Sequence, residues 1–349
     1  MGRTQLEDAV PMRLGQSFHA YATMIERDIR RIERARKELF TLNLGGTAIG
    51  TTINASDYYL HHIVPTLAAV TGYPLMQADD LFDATENLDG FVTISNTLKT
   101  CAVNLSKMCN DLRLLSSGPR TGFGEINLPP MQNGSSIMPG KINPVIPEVV
   151  TQVAFHVIGN DTTITMAAEA GQMELNAFEP VVFYSLFSSI TSMTGAVNTL
   201  VKNCILGITA NEKRCEDLVS KSVGITTALC PYIGYQKAAS IAKKSLKTGG
   251  ECYFSGSERR TADTETARRH SRSVRSDRTG TAGRRRSGWL NVTAAFFHNF
   301  LTIRKKASRI SLLSGKPFSV VFFLYQTLFK FSLRRSFLLP LQRLLPPHL

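Results

Sequence analysis

The sequence predicts an all-α protein built as a bundle of long helices. Three observations carry that reading. Apolar residues recur at three- and four-residue steps through the first part of the chain, the segments they mark are long, and strand-like alternation is scarce. The first helix is marked by Phe18, Tyr21, Ile25, Ile29, Ile32 and Leu39, with Glu and Arg between them. That spacing places the apolar residues on one helical face. Residues 89–114, 145–168 and 177–203 carry similar patterns. Gly45-Gly46, Ser117-Gly118-Pro119 and Gly159-Asn160-Asp161 read as turn signals between segments. The long segments hold more apolar residues than one buried stripe needs, which predicts a bundle shared between subunits.

At 349 residues the chain has room for a large core and roughly two or three domains. Its net charge of +13 invites a nucleic-acid partner, but the charge is not spread evenly. Residues 251–349 carry 19 of the 40 Lys and Arg and 5 of the 27 Asp and Glu, which leaves 21 basic and 22 acidic residues in 1–250. The body is electrically ordinary, so neither a nucleic acid nor a membrane surface is expected as its partner. The six cysteines form no CxxC pair and have no histidine at zinc-finger spacing, so they read as reduced thiols and no metal site is expected. No charged n-region followed by an apolar h-region opens the sequence, and the apolar run around Pro317–Phe329 is short for a membrane span. The expectation is a cytoplasmic protein.

The chemistry concentrates in residues 134–144, Gly-Ser-Ser-Ile-Met-Pro-Gly-Lys-Ile-Asn-Pro. Gly134 and Gly140 permit a tightly curved backbone. Ser135 and Ser136 bring hydroxyls and backbone N–H groups, Lys141 a positive charge and Asn143 an amide. Pro144 holds Asn143 extended and marks the boundary before a following helix. These are the group types needed to grip a small dicarboxylate and remove a proton beside it. Each also has a plainer use: Lys141 as a solvated lysine, Ser135 and Ser136 as caps, Asn143 as a turn residue. Gly45–Gly50, Gly-Gly-Thr-Ala-Ile-Gly, superficially suggests a dinucleotide fingerprint. Its spacing is wrong and no strand precedes it, so close packing or backbone contact is its expected use. His61-His62 are expected on a helix surface.

Residues 134–144 resemble the signature loop of the aspartase/fumarase superfamily at every position. Leu114–Arg120, Asn143–Val150, Gly159–Thr163 and Glu169–Gln172 resemble its aspartate ammonia-lyase branch more than its fumarase branch. The resemblance implies a long-helix bundle that eliminates ammonia from L-aspartate to give fumarate through a doubly charged aci-carboxylate. It implies Ser135 as the general base, with Thr4, Gln5, Ser136, Lys141, Ile142 and Asn143 binding substrate and Glu148 in support. It further implies a homotetramer with sites shared between subunits and no organic cofactor. No fixed metal is implied, although a divalent ion is an expected activator. Gln5 departs from the fumarase pattern, which has a histidine there; an amide cannot shuttle protons through Glu148 as imidazole does. Fumarate hydratase is the alternative within the superfamily. A non-catalytic fragment or a basic-tailed binding protein is the alternative outside it.

The resemblance covers residues 1 to about 250. Met1–Pro11 resembles a segment interior to complete members, so the expectation is that an N-terminal domain is missing and that the chain alone has little activity. The expected domains are a central bundle over 1–203, part of a small C-terminal helical domain over 204–250, and a non-family tail over 251–349. After Thr248-Gly249-Gly250 the sequence turns Arg/Ser/Thr-rich and then Phe/Leu/Arg-rich, so the tail reads as disordered or as translated out of frame.

Overall fold

The computed structural model describes residues 1–134 and 136–248. The tail expected over 251–349, with Cys252, and the candidate base Ser135 lie outside the described residues. In chain order the elements begin with β1 (Gly2–Thr4), β2 (Glu7–Val10), α1 (Leu14–Ala35), β3 (Thr41–Leu42), α2 (Asp57–Thr71), β4 (Met76–Gln77) and α3 (Asp83–Glu86). They continue with α4 (Asp89–Leu115), β5 (Ile126–Asn127), α5 (Val145–Glu169), α6 (Glu179–Asn203) and β6 (Thr209–Ala210). They close with α7 (Glu212–Lys221), α8 (Cys230–Ile233) and α9 (Tyr235–Thr248). The long helices expected over 89–114, 145–168 and 177–203 stand within two residues of their expected ends, whereas the first, marked by Phe18 to Leu39, spans Leu14–Ala35 and gives way to a 3-10 turn over Arg36–Phe40. The strands pair only two by two, β1 with β2, β3 with β4 and β5 with β6.

The described residues fall into two compact units. One joins Met1–Gln16 to residues 211–248, and the other is Ser17–Ala210. These bounds differ from the expected domain limits. After α6 the chain stays with the bundle because Cys204, Ile205 and Ile208 are buried and β6 pairs with β5. The opening residues belong with the later segment because β2 packs on Val223–Leu229, where a side chain at Gly224 would strike the Ala9 carbonyl 2.8 Å away.

Helices α4, α5 and α6 form the centre of the larger unit. In α4 the buried positions Ile94, Leu98, Cys101, Leu105, Met108 and Leu112 step alternately by four and three residues. Val150, Ala154, Val157, Asp161 and Ile164 do the same in α5, and Leu186, Ile190, Met193, Val197 and Leu200 in α6. That alternation keeps one seam facing its neighbour along the whole helix. Ser95 opposite Asp161 and Arg113 opposite Glu148 make α4 and α5 antiparallel, while the edge-on Phe91–Phe183 pair sets the starts of α4 and α6 side by side.

Helix α1 lies antiparallel on α4 through polar contacts. The Tyr21 hydroxyl donates to Asp111 at 2.9 Å, and the Asn104 amide donates to both carboxylate oxygens of Asp28 at 2.9 Å. Burial pushes the Asp28 carboxyl above the usual carboxylate range, partly offset by Asn104 and Arg31.

Gly159-Asn160-Asp161, which reads as a turn, lies inside α5. These polar residues serve the neighbouring helices instead. Asn160 donates to the Ser185 carbonyl at 3.2 Å and the Ser189 hydroxyl at 3.0 Å. Asp161, 4% exposed, accepts from the Ser95 hydroxyl at 2.7 Å and pairs with Lys99 at 2.6 Å. The Gly45–Gly50 stretch has the expected close approach: a side chain at Gly50 would lie 2.5 Å from the Phe82 backbone nitrogen. His61 and His62 are exposed on α2.

The segment Glu179–Gly207 is long and apolar enough to cross a membrane by length and composition, yet its seam packs on α5 and α4. Cys101, Cys109, Cys204 and Cys230 are unbridged, and burial pushes the Cys204 thiol up to about 12.

Asp161→Ala should destabilise the bundle by about 1–3 kcal/mol, because it strands the buried Ser95 hydroxyl, while the partly solvated Lys99 ammonium turns to water. Lys99→Met should cost more, about 3–5 kcal/mol, because it leaves the buried Asp161 carboxylate without its cation. Urea unfolding followed by helical circular dichroism measures both. A loss in Lys99→Met no larger than that in Asp161→Ala would show that the buried carboxylate does not depend on its cation.

Candidate active site

The candidate site is built where α4 ends and α5 begins. The connection of residues 116–144 is tied down at its root. The Gly124 N–H donates to the Ser117 carbonyl and the Glu125 N–H to the Leu115 carbonyl, both at 2.9 Å, and the Phe123 N–H reaches the Ser117 hydroxyl at 3.0 Å. Strand β5 then pairs antiparallel with β6, and Asn127 donates to the Thr209 hydroxyl at 3.2 Å. Pro129 packs so closely on Gly207 that a side chain there would meet its Cγ at 2.5 Å. The stretch that follows α6, from Gly207 through β6, therefore holds the base of the loop.

The loop itself closes on backbone. A side chain at Gly134 would collide with the carbonyl oxygen of Lys141, so the chain passes itself at a separation only glycine permits. Between them Met138-Pro139-Gly140-Lys141 forms a tight turn. The Lys141 N–H donates to the Met138 carbonyl at 3.2 Å, and Gly140 has φ +79. Pro at the second position and left-handed Gly at the third are what a type II turn requires. The exit is as defined. Pro144, with φ −80 and ψ 57, sits at the centre of an inverse γ-turn closed by the Val145 N–H on the Asn143 carbonyl at 2.9 Å. Helix α5 starts at the next residue, so Pro144 marks the boundary its ring geometry predicts.

Ser136, Lys141, Ile142 and Asn143 all lie exposed on this one loop. Within the loop a mobile-proton chemistry has a hydroxyl, an ammonium and an amide at its disposal, with backbone N–H groups beside them. Glu148 lies in the first turn of α5, half-buried, and pairs with Arg113 of α4 at 3.3 Å. That pairing was not legible in the sequence, where the two residues are far apart; the available signal was a basic residue in the last turn of a helix.

Thr4 and Gln5 belong to the other compact unit, where β1 and β2 form a hairpin in which Thr4 faces Glu7. The two loop residues Gln5 and Leu6 have φ of 55 and 68. That is the two-residue turn favoured by the twist of a hairpin, but it is usually built from Asn and Gly. Two non-glycine residues held left-handed store strain, and strain of this kind gathers at functional sites. Thr4 and Gln5 are both exposed at this tip.

The comparisons with known proteins agree in direction. The profile of a family described as Lyase matches residues 1–159, and one described as Fumarase C C-terminus matches residues 225–259. An aspartate ammonia-lyase of Pseudomonas aeruginosa is 59% identical over 250 residues, covering 71% of this chain and 53% of that protein. Those of Helicobacter pylori and Escherichia coli are 57% and 52% identical over 253 and 249 residues, covering 54% and 52% of their lengths and 72% and 71% of this chain. The crystal structure of a cobalt-bound fumarate lyase:delta crystallin from Brucella melitensis superposes with a TM-score of 0.70 at 50% identity, covering 72% of this chain and 55% of that one. A class II fumarase from Schistosoma mansoni superposes with a TM-score of 0.69 at 31% identity, covering 72% and 56% of the two chains. The chain thus spans about half the length of the relatives it matches.

Gly134→Ala should force the loop to open at Lys141. Trypsin cleavage after Lys141 should then accelerate several-fold relative to cleavage after Arg27 within α1, measured by mass spectrometry of a timed digest. An unchanged rate would show that the backbone closure does not hold the loop.

Proposed function

Because this chain belongs to the aspartase/fumarase superfamily of lyases, we propose that its activity is that of an aspartate ammonia-lyase. L-aspartate loses a proton from C3 and ammonia from C2, giving fumarate. The observation that carries the reading is the loop of residues 134–144, closed on its own backbone at Gly134 and Lys141, in a chain 52–59% identical to aspartate ammonia-lyases.

The chemistry sets the requirements. Removing the C3 proton places a second negative charge on the adjacent carboxylate, so the barrier falls when positioned donors meet that charge as it develops. Lys141 and Asn143 are of the right type, with the Ser136 hydroxyl and loop N–H groups beside them. Ser135 acts as the base. A serine hydroxyl is far too weak for this at neutral pH unless the same donors stabilise its alkoxide. Thr4, Gln5 and Ile142 are further substrate-binding residues in this reading, while Glu148 supports the loop. All these groups are side chains or backbone, so the reaction needs no organic cofactor; a divalent ion acts as an activator without a fixed site.

The working form is a homotetramer in which subunits share sites, in the cytoplasm, with neither nucleic acid nor membrane as partner. The exposed apolar side chains of α5 and α6 support association: Phe155 is 64% exposed, Met166 60% and Tyr184 76%. Large apolar side chains left exposed along two long helices suit burial against another copy of the chain.

The rate expected of this chain by itself is low, and fumarate appearance, followed by ultraviolet absorbance with the purified chain, tests the assignment. L-aspartate should be the preferred substrate over L-malate, and Ser135→Ala should abolish turnover while L-aspartate still binds. Faster turnover of L-malate would move the chain to the fumarase branch. Turnover of neither would make it a non-catalytic member.

A further inference from the structure

Arg113 connects the end of one bundle helix to the start of the loop chemistry. It lies in the last turn of α4, and its Nη2 reaches Glu148 Oε1 at 3.3 Å. Its Nη1 donates to the Asn110 side-chain oxygen at 3.5 Å, and its Nε is buried without a hydrogen-bond partner among the described residues. These two contacts through its outer nitrogens turn the guanidinium toward the start of α5. The charges also suit their places, a cation at the C-terminal end of α4 and an anion at the N-terminal end of α5.

From Glu148 the connection runs through main chain. The Glu148 N–H donates to the Pro144 carbonyl at 3.3 Å, and the Val145 N–H donates to the Asn143 carbonyl at 2.9 Å. Asn143 therefore hangs from the turn that Glu148 secures, with Lys141 two residues before it. Both partners are partly solvated, with 40% and 35% of their side chains exposed, so the pair adds little to global stability. Its place, at the point where the loop re-enters the bundle, gives it a different use.

We propose that Arg113 is a positioning residue for the elimination: through Glu148 it fixes the first turn of α5, and with it Asn143 and Lys141. The proposal rests on the aspartate ammonia-lyase reading for its effect on turnover. Its structural half stands on this geometry alone. Arg113 does not touch substrate. It acts by holding donors where charge develops, and a displacement of about 1 Å in such a donor can cost about a hundredfold in rate.

The test uses the full chain, four variants (Arg113→Met, Arg113→Lys, Glu148→Gln and the charge swap Arg113→Glu with Glu148→Arg) and two readouts. Amide hydrogen exchange of residues 136–147 decides the structural half. Arg113→Met and Glu148→Gln should raise it about tenfold or more while α1 and α6 stay unchanged. Arg113→Lys and the swap should return it toward the parent value. Unchanged exchange in Arg113→Met, or loosening spread evenly over the bundle, overturns the proposal. Steady-state ammonia release from L-aspartate gives the second readout. Arg113→Met should lower kcat by about a hundredfold with KM within about threefold, and the swap should recover much of the loss. An equal rise in KM with kcat kept would also overturn it. Absence of turnover in the parent chain would count against the aspartate ammonia-lyase reading alone, with exchange still deciding the role of Arg113.

Discussion

The antiparallel pairing of α4 and α5 is the constraint on which the larger unit depends. Two helices of this length stay in register only if their buried rows keep facing each other, and both rows step alternately by four and three residues. Apolar rows alone tolerate sliding by a turn. Asp161 removes that freedom, because a slide by one turn would part its buried carboxylate from Ser95 or from Lys99. Helix α6 then packs on α5 through Asn160 and on α4 through Phe183 against Phe91, and α1 joins α4 through Tyr21 and Asp28.

The position of the candidate site follows from that register. Fixing α4 against α5 fixes the two ends between which residues 116–144 must run. The loop is then determined mainly by backbone, through the closure at Gly134, the turn at Gly140 and the γ-turn at Pro144. A loop specified in this way leaves its side chains uncommitted to packing. Ser136, Lys141 and Asn143 are exposed for chemistry because glycine and proline, rather than they, hold the path of the chain. Electrostatic catalysis asks for donors that are already in place before charge develops.

Much of this was legible in the sequence. The apolar spacing of Phe18 to Leu39 and of the three later segments located the long helices to within a turn or so, since buried rows must follow helical periodicity. Pro144 located the start of α5 through the geometry of its ring. Gly159-Asn160-Asp161 was misleading, because polar residues and glycine mark turns only when nothing in the fold gives them partners; Ser185, Ser189, Ser95 and Lys99 do so here. Arg113 and Glu148 were not legible as a pair, because their meeting depends on the helix register rather than on any local pattern. The hairpin strain at Gln5 and Leu6 was equally hidden, since nothing in their side chains announces a left-handed backbone. The role of Ser135 came from resemblance, and that residue lies outside those the structure describes.

The central claim is that residues 134–144 remove a proton from C3 of a bound dicarboxylic amino acid. The most direct measurement is proton magnetic resonance of L-aspartate incubated with the purified chain in heavy water. The account predicts fumarate accumulation together with deuterium at C3 of the remaining aspartate, both lost when Lys141 is replaced by Met. Bound L-aspartate that neither exchanges at C3 nor yields fumarate would contradict it.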